Sequence, residues 1–165
     1  MYQFTKFWNN HPTIKGEGPL LSKSSYQNQC AINMHACLKR SGADLKTFRG
    51  VRSWEKNKPK YALRAQELAN WLNDPFARMP FPVEKYSGKD AFDKIKGKRG
   101  IVFFQNFWGP GNQGDHIDLW NGSRLTDWKS WARIHIRIGS FGAHNVMSDV
   151  SDFEKSQSVW FWLLP

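Results

Sequence analysis

Apolar residues return at helical spacing in the segment YQNQCAINMHACL, where Ala31, Met34, Cys37 and Leu38 fall on one face. Lys39 and Arg40 put cations on the closing turn and Gly42 supplies a stop, so the pattern predicts an amphipathic helix of about three turns. A second stripe, Ala62, Ala65, Leu68, Ala69 and Leu72, runs to Asn73, where Asp74 and Pro75 end it. A proline-punctuated stretch, PFARMPFPVEKY, leads to a short third helix near DAFDKIKGK. At Gly100 the period changes: Ile101 to Phe104 is a continuous apolar run, as in a strand covered on both faces. WGPGNQG reads as a loop, DHIDLWNGSRLTDW as a hairpin and SVWFWLL as a further strand, while ARIHIRIG fits a strand or a short helix. Helices first and an antiparallel sheet afterwards is the order of an α+β fold.

The 165 residues, 40% hydrophobic and 15% aromatic, suffice for one core, and the length predicts a single domain over residues 1–165. The net charge is +10, which favours polyanionic surroundings such as nucleic acid, anionic lipid or an acidic glycopeptide. Between Lys39 and Lys60 stand eight basic residues against two acidic ones, Asp44 and Glu55. A solvated basic face accounts for this, and no RNP-like signature, helix-turn-helix or zinc finger accompanies it, so nucleic-acid binding is not expected. The sequence MYQFTKFWNNHP lacks the apolar region of a signal peptide, and no run reaches the ~18 apolar residues of a membrane span. Synthesis in the cytoplasm without a signal peptide, and no membrane insertion, are the expectations.

Both cysteines lie in the first predicted helix. At ~1.5 Å rise per residue their Cα atoms stand roughly 10 Å apart, beyond the ~7 Å that a disulfide tolerates. His35 points to a different face from Cys30, and paired CxxC or HxxxH spacings are missing, so no metal and no cofactor are expected. Cys37, near Met34 and Leu38, reads as a small buried apolar residue. Cys30 differs, because it opens the helix behind Asn28 and Gln29, where unpaired N–H groups and the positive end of the macrodipole favour a thiolate. Taken alone it fits a nucleophile or a buried bystander.

The hairpin brings a second chemical group. Asn121 and Gly122 form the dipeptide favoured for a two-residue type I′ turn. With that loop Trp120 faces Ser123, Asp118 faces Leu125 and His116 faces Asp127, and directly opposed Cβ atoms are ~5 Å apart. Asp127 is thereby expected beside His116, with Asp118, ~7 Å along the same strand, as the weaker candidate. A carboxylate there fixes the imidazole tautomer and leaves the other nitrogen for a thiol. Cys30, His116 and Asp127 would act as nucleophile, general base and acid, and orienting group. A histidine beside an aspartate on a strand is also a common structural pair.

NQCAINM, GDHIDLWNG and the closing VWFW together resemble the fourth family of type VI secretion amidase effectors, a branch of the NlpC-like, papain-fold cysteine peptidases. The resemblance extends from Cys30 to Trp162. It implies a papain-like α+β fold with the nucleophile at the N-terminus of an early helix, packed on an antiparallel sheet that carries the histidine. It implies an antibacterial toxin that cuts peptidoglycan stems between D-glutamate and meso-diaminopimelate, delivered by type VI machinery into a rival's periplasm. A cognate immunity protein that plugs the active cleft is implied as well. Position by position, the family's cysteine falls on Cys30, its histidine on His116 and its aspartate on Asp127. The cysteine pair that some relatives carry near that aspartate is missing here.

In such an enzyme the helix N-terminus, including the Cys30 backbone N–H, is positioned to stabilise the tetrahedral oxyanion. Trp108, at the start of the Gly/Pro loop, is a candidate cleft wall or a core anchor. Two alternatives remain at this stage. One is a papain-fold acyltransferase or isopeptidase acting on another acceptor; the other is a basic polyanion-binding module without catalysis.

Overall fold

A computed structural model describes residues 2–108, 114–127 and 156–165. The helices are α1 (Phe4–Asn10), α2 (Cys30–Arg40), α3 (Ala65–Leu72) and α4 (Gly88–Ile95); the strands are β1 (Val83–Tyr86), β2 (Gly100–Trp108), β3 (Gly114–Trp120) and β4 (Ser158–Leu163). The strands form one antiparallel sheet in the order β1-β4-β2-β3. Among the described residues this is the α+β order read from the sequence. The ARIHIRIG segment, 132–139, lies outside them.

The sheet is covered on both faces because β2 and its neighbours alternate. Ile101, Phe103, Ile117, Leu119 and Trp162 pack with Phe7, Met34, Cys37, Leu38 and Leu68 in the main core. Val102, Phe104, Trp120, Val159 and Phe161 pack with Ala91 and Ile95 of α4 on the other side. Each fully buried side chain of this size stabilises by ~1.5–3 kcal/mol, so two apolar faces in one strand explain the unbroken run at 101–104. Trp120 also donates its indole N–H to the Ile95 carbonyl at 3.0 Å, which fixes the end of β3.

α2 ends as its glycine predicted. Gly42 adopts φ +99°, its N–H donates to Lys39 O and the Ala43 N–H donates to Leu38 O, the two bonds of a Schellman motif. Cys37 is fully buried and donates its thiol to the Phe7 carbonyl at 3.2 Å; burial pushes its pKa up, as suits a core residue. Both cysteines are free thiols.

α1 and β1 were not foreseen. α1 is tied to the chain's other end by the Phe4 N–H, which donates to Pro165 O at 2.8 Å, and to α2 by Asn10 Nδ2, which donates to Arg40 O at 3.3 Å. That anchorage delivers the residue just after α1, His11, to the sheet edge.

Candidate active site

α2 begins at Cys30, so its orphan N–H groups surround that residue. No side chain caps the helix from the N-cap position; Gln29 instead turns back and donates to Tyr26 O at 2.7 Å and Leu21 O at 3.3 Å. This pins the incoming chain. The Cys30 N–H donates to Asn28 Oδ1 at 3.2 Å. The oxygen of Asn28 thus stands where a substrate oxyanion would have to sit to use that donor.

His116 comes from β3, the edge strand, and lines the same cleft as Cys30, close enough for the thiol to act on its pKa. Its Nε2 lies 3.6 Å from Asp118 Oδ2, which leaves Nδ1 for the sulfur. Burial opposes the imidazolium, but Asp118 and Cys30 outweigh it and hold the His116 pKa up at about 10. Burial likewise opposes the Asp118 carboxylate, and the facing histidines together with Thr126 keep its pKa below the ordinary value. Asp118 is 3% exposed, accepting at Oδ1 from Leu119 N (2.7 Å) and Thr126 Oγ1 (2.5 Å) and at Oδ2 from Thr126 N (3.2 Å).

The hairpin differs from the expected type I′ turn. Trp120 pairs with Leu125, not Ser123, because Asn121 Oδ1 accepts the N–H groups of both Ser123 (3.0 Å) and Arg124 (2.9 Å). The loop therefore holds four residues, and the register moves by two. Asp127 does not stand directly opposite His116 as the shorter loop required; it is exposed, on the wall of the same cleft. The carboxylate set against the ring is Asp118.

That cleft, about 200 Å³, is lined by His11, Thr13, Asn28, Gln29, Cys30, Asn33, His116, Ile117, Asp118, Thr126 and Asp127. Trp108 closes β2 with its backbone paired to Gly114, and loop residues 109–113, expected near the cleft, lie outside the described residues. Among the described residues no group of three or more His, Cys, Asp or Glu side chains has a metal-binding arrangement.

His11 and Thr126 escaped the sequence reading. His11 is 3% exposed; its Nδ1 accepts the Thr13 N–H at 3.3 Å, so the neutral ring carries its proton on Nε2, 3.7 Å from Asp118 Oδ1. Burial lowers its pKa, with Asp118 acting in the opposite direction. The only local signal was a histidine followed by proline, which is too common to mark a site.

Comparisons with known proteins identify the fold and the family. Solved structures of similar fold include the effector Tae4 from Salmonella typhimurium in complex with the immunity Tai4 from Enterobacter cloacae, with TM-score 0.65, 17% identity and 100% of each chain covered. A selenomethionine variant of the Salmonella typhimurium Tae4/Tai4 system gives TM-score 0.67 and 18% identity, covering 100% of this chain and 99% of the other. Tae4 from Enterobacter cloacae gives 0.64 and 19%, with 100% and 98% covered. A search of curated proteins gave no match. The family model described as type VI secretion system (T6SS), amidase effector protein 4, matches residues 26–162, a span that holds Cys30, His116, Asp118 and Asp127. The chain belongs to that family of type VI secretion amidase effectors.

Proposed function

We propose that residues 1–165 act as a single NlpC-like cysteine peptidase domain that hydrolyses the D-glutamyl to meso-diaminopimelate bond of peptidoglycan stems. The observation that carries this reading is the placement of Cys30, at the start of α2, and His116 in one open cleft, with Asp118 behind the ring. An imidazolium beside a thiolate is the resting state of a cysteine nucleophile. The thiolate attacks the amide carbonyl, and the oxyanion displaces Asn28 Oδ1 from the Cys30 N–H. His116 then gives its proton to the departing amine, so the C–N bond breaks and a thioester remains. Water, deprotonated by His116, attacks the thioester and returns the thiol.

Asp118 holds the Nε2 side of the ring throughout. Asp127, the position that the resemblance assigns to the family's aspartate, belongs to the same working site from the cleft wall. The net charge of +10 suits a polymer whose stems carry free carboxylates. Family membership supports delivery by type VI machinery, action in the periplasm of a target bacterium, and a cognate immunity protein that occludes the cleft. The similar effector Tae4 from Salmonella typhimurium was solved in complex with an immunity protein, Tai4 from Enterobacter cloacae.

Digestion of purified sacculi with wild type and with Cys30→Ala, read by mass spectrometry, tests the reading. Stems cut at the D-glutamyl bond by wild type alone are the expected result. Products carrying an added acceptor mass would identify an acyltransferase instead, and identical products from both proteins would sink the cysteine mechanism.

A further inference from the structure

The basic segment holds an exposed indole. Residues 51–63 fold back on themselves: Ser53 N donates to Tyr61 O at 2.8 Å, Leu63 N donates to Val51 O at 3.1 Å, and Asn57 turns the tip at φ +61°. Arg52 is spent on the fold, donating to Leu45 O and Phe48 O. Lys56 and Lys58 are exposed at the tip. Trp54 is 64% exposed, yet it is held from behind: its ring centroid lies 4.5 Å from that of the buried Tyr26, and its backbone N–H donates to Tyr26 Oη at 3.0 Å.

An indole left in water but fixed in orientation presents a rigid apolar face at small entropic cost. Its position is tied to the nucleophile through Tyr26, whose carbonyl accepts from Gln29, the residue before Cys30. Tyr26 and Cys30 are four residues apart, a span of at most ~14 Å.

We propose that Trp54, Lys56 and Lys58 form an accessory binding site for polymeric peptidoglycan. The indole stacks on the C–H face of a glycan-strand sugar ring, and the ammonium groups pair with stem carboxylates. This rests on the peptidoglycan reading above. It predicts that the site matters for the polymer and not for a small fragment that fills only the cleft.

Two probes separate these cases: purified sacculi, and a soluble disaccharide-tetrapeptide prepared from them. Trp54→Ala and the pair Lys56→Glu/Lys58→Glu are compared with wild type on both. Each is also placed in the Cys30→Ala background for co-sedimentation with sacculi. The expected result is turnover of sacculi lowered about tenfold, with kcat/KM on the fragment unchanged and sedimentation weakened further by salt. The lysine pair keeps the test independent of any packing loss at Trp54. Equal loss on both probes, or undiminished binding to sacculi, overturns the site. So does a variant that binds sacculi normally and fails only with the immunity protein. A wild type that cuts neither probe refutes the hydrolase reading, and the co-sedimentation comparison then decides the site separately.

Discussion

Asp118 Oδ2 sits 3.6 Å from His116 Nε2 and accepts the Thr126 N–H through the same oxygen, so one buried carboxylate both closes the hairpin and faces the ring. The folded protein favours the His116 imidazolium, with its pKa raised from 6.5 to about 10. For a raised pKa, the stabilisation is fully present below 6.5 and is lost as pH rises through about 10. Once the thiolate has become a thioester, the Cys30 contribution is gone and Asp118 alone favours the charged ring.

Asp118→Asn is expected to lower kcat/KM by about a hundredfold or more and to move the alkaline limb of its pH profile toward neutrality. The amide nitrogen would face the N–H or hydroxyl of Thr126, leaving a buried donor unpaired at a cost of ~1–3 kcal/mol. Asp127→Asn should behave differently. Asp127 is exposed, so stability should stay within about 0.5 kcal/mol of wild type while activity falls. Chemical denaturation and pH-rate profiles of both variants check the contrast; an Asp118→Asn enzyme with an unmoved profile removes that residue from the ring's support.

Much of this site was legible because its signals are local. The α2 stripe, its glycine stop and the cysteine at its start all lie within about a dozen residues, and β2 announced its two covered faces by its unbroken apolar run. What failed depended on longer contacts. Asn121 and Gly122 spell a two-residue turn, but Asn121 Oδ1 captures two backbone N–H groups and Gly97 N donates to Gly122 O, so a four-residue loop forms. β1 is a four-residue edge strand behind a proline cluster, and α1 has only seven residues, held by the chain's far end. Without α1 there was no reason to bring His11 to Asp118.

The two cysteines should separate cleanly by chemistry. Cys30 is half-buried in the cleft, whereas Cys37 is 0% exposed and its thiol is pushed toward the protonated form. Iodoacetamide should label native protein once, at Cys30, with complete loss of amidase activity, and Cys37 only after unfolding. Cys37→Ala should keep its activity and lose about 1–2 kcal/mol of stability. Peptide mapping after labelling gives the answer, and modification of native Cys37 would contradict the packing.

Asn28 offers a sharper test of the oxyanion site. Its Oδ1 accepts the Cys30 N–H at 3.2 Å in the resting enzyme, so turnover requires the side chain to yield. A carboxylate at this position would bind the N–H more strongly at the positive helix end and repel the developing oxyanion. Asn28→Asp is therefore expected to lower kcat by about a hundredfold with the melting temperature unchanged or raised. Asn28→Ala should leave kcat near wild type. An Asn28→Asp enzyme with full kcat would place the oxyanion elsewhere.

His35 should govern acid stability, although it takes no part in the chemistry. It is 2% exposed, and its Nδ1 accepts the Ala62 N–H at 3.0 Å, joining α2 to the basic hairpin. Burial, then the charges of Arg52 and Lys39, lower its pKa from 6.5 to about 4. The neutral ring is the one that folds. Its contribution is complete above pH 6.5 and declines as pH falls toward 4, because the unfolded chain takes up the proton first. The full loss is on the order of 3 kcal/mol. Asn at this position supplies an acceptor for Ala62 and cannot titrate, so His35→Asn should be less stable than wild type at pH 7 and close the gap by pH 4. Urea midpoints for both proteins at the two pH values measure this, and because the carboxylates are common to both they cancel in the difference. A gap that stays constant with pH would mean that His35 is accessible to protons in the native state.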